Sequence, residues 1–497
     1  MQGIGGRLAR GATWIAAARI VITFIGFANT LVLARLLVPE DFGLVAIVMS
    51  ISAIVFAVTE LSLAQALVQH NAPTDSHYNT AFTLNLIRAA GVAIVLVVLS
   101  VPMAALYGDP RLVYGLMAIA VSSLVIGAIN PKLAAMSREL VFWQDFATRS
   151  GDKLAAFLVA FLVAVIWQSY WALILGVIAG QMTSLILSYI ICPYRPRFEL
   201  SKWRDLMSFS IWVGLGQAVN TLNWRFDQLV LGYFLGNTAL GYYSVGARLA
   251  SLPTKEATRP VAAAAFPGFA KLAHDPERLR RAYQRAQSAL MVVALPVGVG
   301  FAVAAEPLVL LVMGEKWLSS VVVIQVLASV FAIGTIATTV QPLALGMGQS
   351  RILFNRSLLN LGIRAPLTMA GLLSGGLVGL LVARCIVGFI SIWINLYFVR
   401  ELLGLSYSRQ LLINRRSLIA VVVMAAAVYL AGTPFDGLGL GVQSLKAICM
   451  IAAGIVVYPA IVMLLWWCQG YPEGPEHDAM KLAKAILSKV SGRVFRR

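Results

Sequence analysis

The stretches TLVLARLLVPEDFGLVAI (residues 30–47) and QLVLGYFLGNTALGYYSV (residues 228–245) align without a gap at an offset of 198 residues. Leu31, Val32, Leu33, Leu37 and Gly43 meet Leu229, Val230, Leu231, Leu235 and Gly241, and upstream Trp14 meets Trp212. Apolar matches carry little weight in a greasy chain, but glycine and tryptophan matched at one offset carry more. The offset spans six apolar segments, an even number, so the two halves share one orientation across a membrane. Halves related in this way surround an axis along the membrane normal, with a site expected between them.

The rest of the chain supports a membrane setting. Of 497 residues, 60% are hydrophobic and only 12% charged, with a mean hydropathy of +0.83. Soluble domains average about 25% charged residues. The apolar runs here are each long enough to cross roughly 30 Å of hydrocarbon. The first begins near Gly11 with no small-residue cleavage site after it, and reads as a retained helix, not a signal peptide.

Cutting at proline, glycine and charge clusters predicts fourteen spans: 12–36, 43–69, 79–106, 112–131, 154–170, 171–191, 206–235, 239–270, 286–305, 318–343, 353–374, 376–399, 417–432 and 443–468. With the repeat, this predicts an all-α integral membrane protein of about 14 helices. Two pseudo-symmetric six-helix bundles, residues 1–200 and 201–405, surround a central cationic cavity. Accessory spans occupy 406–470. The tail, 471–497, reads either as a basic amphipathic helix on the anionic leaflet or as a solvated end.

The lysines and arginines fix an orientation. One side of the membrane receives 27 of them and the other only Arg35, Arg111, Lys316 and Lys446. That asymmetry places both termini in the cytoplasm and gives the net charge of +18 a topological cause, so nucleic acid is not implied. The cysteines, Cys192, Cys385, Cys449 and Cys468, lack metal-type spacing and read as buried small hydrophobes. The four histidines form no HExxH pattern, and there is no phosphate-binding Gly-x4-Gly-Lys-Ser/Thr loop. No catalytic residue, metal or cofactor is expected.

Eight cations fall inside spans: Arg19, Arg88, Arg225, Arg248, Lys255, Arg259, Arg364 and Arg384, against three carboxylates, Glu60, Asp227 and Glu256. A charge at the bilayer centre costs about 2.5–3.5 kcal/mol on insertion scales, so the surplus calls for a water-filled cavity or an anionic ligand. Arg248 lies roughly 14 Å along span 8, Arg364 roughly 16 Å along span 11, and Arg19 and Arg88 some 12–14 Å in, at 1.5 Å per residue. These four are the leading ligand candidates. Lys255 and Arg259 either join them or snorkel to the headgroups. On a helical wheel Arg248, Lys255 and Arg259 fall within about 40° of one another, with Glu256 at the edge.

Arg225 and Asp227 stand two apart and cannot form an i,i+4 pair. Asp227, and more weakly Glu60, are candidates for coupling to an ion, since intramembrane acids often serve relays. Pro253, Pro260 and Pro267 recur every seven residues on span 8 and predict bending, with Pro253 and Pro260 as hinge candidates.

LARLLVPEDFGLVAI (33–47), DQLVLGYFLGNTALGYYSVGARLASLP (227–253) and AAAAFPGFAKL (262–272) resemble the polysaccharide-transporter family, the Wzx-type flippases of the multidrug/oligosaccharidyl-lipid/polysaccharide superfamily. The resemblance covers nearly the whole chain and is nearest to exporters of exopolysaccharides of the colanic-acid type. It implies two six-helix bundles forming a V around a cavity, in the bacterial inner membrane. The implied substrate is an undecaprenyl-pyrophosphate-linked oligosaccharide repeat unit, moved from the cytoplasmic to the periplasmic leaflet. Its implied partners are a polysaccharide polymerase and export machinery and a proton or sodium counter-ion, with the protein itself a monomer. A pyrophosphate suits the cation surplus, because arginine binds it with a bidentate fork.

Two superfamily alternatives stand beside this reading. A flippase for the peptidoglycan lipid precursor would share the cavity charge. A cation-coupled drug exporter would favour an acidic cavity, and the residue balance opposes it. A membrane glycosyltransferase or polymerase should carry acidic or metal-binding loop clusters, which the sequence lacks.

Overall fold

The computed structural model describes residues 4–70, 72–138, 143–207, 210–435, 440–471 and 477. Among them all regular secondary structure is helical. In chain order the α-helices are α1 Ile4–Leu36, α2 Pro39–Val58, α3 Leu63–Gln69, α4 Asp75–Tyr107, α5 Arg111–Gly127, α6 Leu133–Arg138, α7 Trp143–Trp167, α8 Trp171–Ile191 and α9 Trp203–Met207. There follow α10 Ser210–Leu272, α11 Pro276–Val303, α12 Ala305–Val312, α13 Ser319–Gly334, α14 Val340–Gly346, α15 Ser350–Leu403, α16 Tyr407–Leu412, α17 Arg415–Gly432 and α18 Gln443–Cys468. Among the described residues eight helices are long and apolar enough to cross a membrane, and three shorter apolar ones accompany them.

Each of the fourteen spans read from the sequence has most of its described residues on helix, several with ends or breaks the sequence did not place, as in spans 2 and 10. Span 2 breaks after Val58, because Ser62 turns left-handed (φ 44) and a new helix starts at Leu63. Span 10 gives way after Gly334 to a short 3-10 turn, Thr335–Ala337. The longest helices contain breaks of their own. In α10 the backbone leaves helical geometry at Gly236 (φ 77), between spans 7 and 8. In α15 it does so at Gly375 and Gly376 (φ 58), between spans 11 and 12. Only glycine takes such φ values at little cost. Pro253, Pro260 and Pro267 lie within α10, downstream of its glycine break. Tail residues 478–497 lie outside the described residues.

By contact the chain groups into two compact units, Met1–Ser244 and Val245–Arg497. The sequence repeat divides the chain at 200/201, by correspondence; packing divides it later, because residues 210–244 are held in the first unit. Gln228 accepts a hydrogen bond from Ser50 Oγ (2.7 Å), and Tyr107 Oη donates to the Leu229 carbonyl (3.1 Å). A Cβ on Gly232 would stand 3.1 Å from the Ile47 side chain.

At one end of the first unit several chain turns are tied together. Arg111 bonds Asp109 through Nε (3.0 Å to Oδ1) and Nη2 (2.8 Å to Oδ2), and also pairs with Glu40. Asn237 Nδ2 donates to Asp109 Oδ2 at 2.7 Å, and the Tyr170 amide donates to Asp41 Oδ1 at 3.1 Å. Burial opposes ionisation of Asp109, but the bonds and charge of Arg111, with the Asn237 bond, outweigh it and hold the carboxyl below its usual range.

The second unit is built on a core of Met291, Leu295, Met424, Val428 and Met450, which joins α11, α17 and α18. A second cluster around Phe269, Tyr283, Leu343 and Leu403 joins α10, α11, α14 and α15. The two arms of α15 meet at a close crossing, where a Cβ on Gly379 would lie 2.0 Å from the Gly371 carbonyl oxygen. The reading of the cysteines as buried holds for Cys192; Cys385 and Cys449 are half-buried and Cys468 is exposed. Cys468 is the last residue of α18.

Candidate functional site

Arg225 stands on the first arm of α10, three residues before Gln228, on the same helix face. Its Nη1 donates to Gln228 Oε1 at 3.0 Å, the oxygen that also accepts from Ser50. A serine of α2 thus fixes an amide that fixes the guanidinium. Arg225 lines a cavity of about 520 Å3 with Glu60, Gln217, Asn220, Thr221 and Trp224, closed on the other side by Ala53, Phe56 and Ala57 of α2.

Glu60, a wall residue of this cavity, is itself paired with a second arginine. Arg88 Nη1 lies 2.9 Å from Glu60 Oε2, with the Arg88 side chain 13% exposed and Glu60 39%. The other oxygen of Glu60 accepts from the Ser62 amide at 3.1 Å, so the break after α2 holds the carboxylate at the cavity wall. The Nε of Arg88 is buried with no hydrogen-bond partner. Chemically the cavity offers an arginine anchored by Gln228, a carboxylate already paired with Arg88, and uncharged amides. Such a set can receive an anion with bidentate geometry.

Asp227 does not face this opening. It is 1% exposed and accepts a hydrogen bond from Tyr243 Oη at 2.8 Å. Arg19, on α1, is half-buried.

In the second unit Arg248, Lys255 and Arg259 are all exposed, while Leu249, Ala250, Ser251 and Thr254 between them are buried. The cationic stripe computed from helical periodicity therefore exists as one open face of α10. Arg259 pairs with Glu256 at 2.9 Å. Arg364 and Arg384, both on α15, are enclosed at 8% and 7% exposed.

The sequence named Arg88 and Glu60 separately and gave them different roles; the fold makes them one pair. It left Arg225 without a role because its only apparent neighbour was Asp227. Gln228 at i+3 was the signal for a same-face partner.

A family model described as "Polysaccharide biosynthesis protein" matches residues 32–322. The chain belongs to this family. The matched region contains nearly all of the first repeat stretch, all of the second, the cavity of the first unit and the α10 stripe. Among its relatives is the succinoglycan biosynthesis transport protein ExoT of Rhizobium meliloti (strain 1021), 27% identical over 92% of each chain. Another is the lipopolysaccharide biosynthesis protein WzxC of Escherichia coli (strain K12), 25% identical over 81% of this chain and 83% of that one.

Solved structures share the fold. The lipid II flippase MurJ, in an inward closed conformation, matches with a TM-score of 0.72 at 15% identity, over 93% of this chain and 99% of that one. An inward-facing multidrug resistance MATE family transporter of the MOP superfamily gives 0.61 at 14% identity, over 78% and 96%. The chain is therefore a multi-pass membrane protein whose fold is that of MurJ and the MATE structure.

Proposed function

We propose that this protein moves undecaprenyl-pyrophosphate-linked oligosaccharide repeat units from the cytoplasmic to the periplasmic leaflet for exopolysaccharide, O-antigen or capsule synthesis. The observation that carries the reading is Arg225, fixed by Gln228 in a polar cavity within apolar helices, with Arg88 paired to the cavity carboxylate Glu60. Fixed guanidinium forks suit a pyrophosphate, whereas a cationic drug would meet repulsion. The transport relatives named above support the polysaccharide branch over the peptidoglycan precursor.

In this reading Arg225 and Arg88 hold the pyrophosphate, and Arg248, Lys255 and Arg259 offer a second cationic surface. Arg19 and Arg364 are further candidate ligands for the anion. Alternating access carries the load without making or breaking bonds, with Pro253 and Pro260 as bending points. Asp227, held by Tyr243, is the coupling carboxylate for a proton or sodium ion, and Glu60 is the second candidate for that role. Both termini face the cytoplasm, the protein works as a monomer, and polymerase and export machinery receive the product.

The test is to delete the gene and follow lipid-linked oligosaccharide. Accumulation on the cytoplasmic leaflet, relieved by the wild-type gene and not by Arg225→Ala, is the expected result. Unchanged surface polysaccharide and unchanged lipid-linked pools in the deletion strain would refute the reading.

A further inference from the structure

The second unit contains a cavity of about 630 Å3 that the arginine site does not use. Its walls come from the end of α11, α12, α13, α17 and α18, so the two accessory helices outside the repeat build half of it. Its volume is typical of small-molecule sites, which run from about 300 to 1,000 Å3.

Seven polar side chains line it: Glu306, Gln325, Ser329, Tyr429, Thr433, Gln443 and Lys446. The set is balanced, with one carboxylate, one ammonium, two amides and three hydroxyls. An anion site would carry a surplus of cations and a cation site a surplus of acids. Mixed donors and acceptors beside an aromatic ring fit an uncharged, polyhydroxylated ligand.

Two details show that this is more than the wet rim of a membrane protein. Lys446 is only 8% exposed, where an interfacial lysine would extend its ammonium into water. It lies instead beside Gly432, where a Cβ would stand 3.4 Å from Lys446 Cε. The Oε1 of Gln443 is buried without a hydrogen-bond partner, an acceptor of the kind native proteins rarely leave unmet. The cavity also reaches inward. Ser329 lies ten residues along α13 from Ser319, roughly 15 Å at 1.5 Å per residue.

We infer that this cavity is a sugar-binding subsite, which takes one or two glycosyl residues of the transported repeat unit through the amides of Gln325 and Gln443. It rests on the transport reading for its ligand. By the charge asymmetry of the chain the cavity opens toward the periplasmic side, where the glycan leaves.

The probe is the repeat-unit oligosaccharide released by mild acid from the producing strain's lipid-linked pool, free of lipid and phosphate. Saturation-transfer NMR with the full-length protein in detergent should show transfer to sugar ring protons. Gln443→Leu should bind about tenfold more weakly through loss of one or two hydrogen bonds. Thr433→Val, at an exposed position that leaves folding intact, should weaken binding in the same direction. Cys468→Ser, at an exposed position outside both cavities, should leave the signal unchanged.

No transfer with the wild-type protein, or full transfer with both cavity variants, overturns the inference. So does release of a co-purifying phospholipid by Gln443→Leu in native mass spectrometry, which would assign the cavity to a zwitterionic headgroup. If Arg225→Ala leaves export intact, the transport reading is what fails. If export needs Arg225 and no sugar signal is found, only the subsite fails.

Discussion

Gly43 and Gly241 occupy equivalent places in the two repeats, and each lies against the backbone that precedes the other. A Cβ on Gly43 would stand 1.7 Å from the Asn237 carbonyl oxygen, and one on Gly241 1.8 Å from the Pro39 carbonyl oxygen. Pro39 and Asn237 are themselves separated by the repeat offset of 198 residues. The starts of α2 and of the second arm of α10 therefore cross in a reciprocal contact that only glycine permits.

Gly43→Ala and Gly241→Ala should each destabilise the protein by a similar amount, about 1–3 kcal/mol, the range for overpacked sites. Because both press on one crossing, the double variant should lose less than the sum. Thermal unfolding in detergent measures this. Additive losses would mean that the two glycines act independently.

Arg225→Lys should fail to restore export, because a lysine cannot reproduce a guanidinium held by Gln228 while it binds a ligand with its free edge. A charged hydrogen bond is worth about 1.5–3 kcal/mol, so export should fall about tenfold to a hundredfold at equal protein level. Gln228→Leu should produce part of the same loss. The assay is surface polysaccharide in the complemented deletion strain.

Arg88→Ala should cost stability between the ~1 kcal/mol of an exposed ion pair and the ~3–5 kcal/mol of a fully buried one. Arg88 is mostly enclosed and Glu60 is not, so exposure of Glu60 discounts the upper figure. The double variant with Glu60→Gln should be no worse than Arg88→Ala alone. Denaturant unfolding of the three variants checks this.

Asp109 links one end of the first unit to pH. Its carboxyl is held below the ordinary 3.8, so its contribution is complete above that value and is lost as pH falls through the lower folded value. The stability gap between wild type and Asp109→Asn should hold steady from neutral pH to about pH 4 and close below it. A gap that closes near pH 6 would contradict the assignment.

The open face of α10 can be mapped by labelling. With exposed Cys468 first replaced by serine, cysteines at 248, 255 and 259 should react with a water-soluble maleimide, while cysteines at 250 and 254 should resist. Uniform reaction along the helix would show that the stripe is not maintained in solution.

Much of this was legible in the order of residues. The repeat, the helical spans and the stripe of Arg248, Lys255 and Arg259 all follow from spacing along one chain, because helical periodicity fixes which residues share a face before any partner is known. The glycine breaks at 236 and 376 were marked as span boundaries for the same local reason.

Only packing decided the rest. Arg88 meets Glu60 from 28 residues away, and Ser50 steadies Arg225 through Gln228 across 178. Asp227 is covered by Tyr243, and residues 210–244 join the first unit although they begin the second repeat. Apolar helices carry almost no information about how far each turns about its own axis. That rotation, set by side-chain fit and by close glycine contacts such as Gly43 and Gly241, determines which buried charges meet.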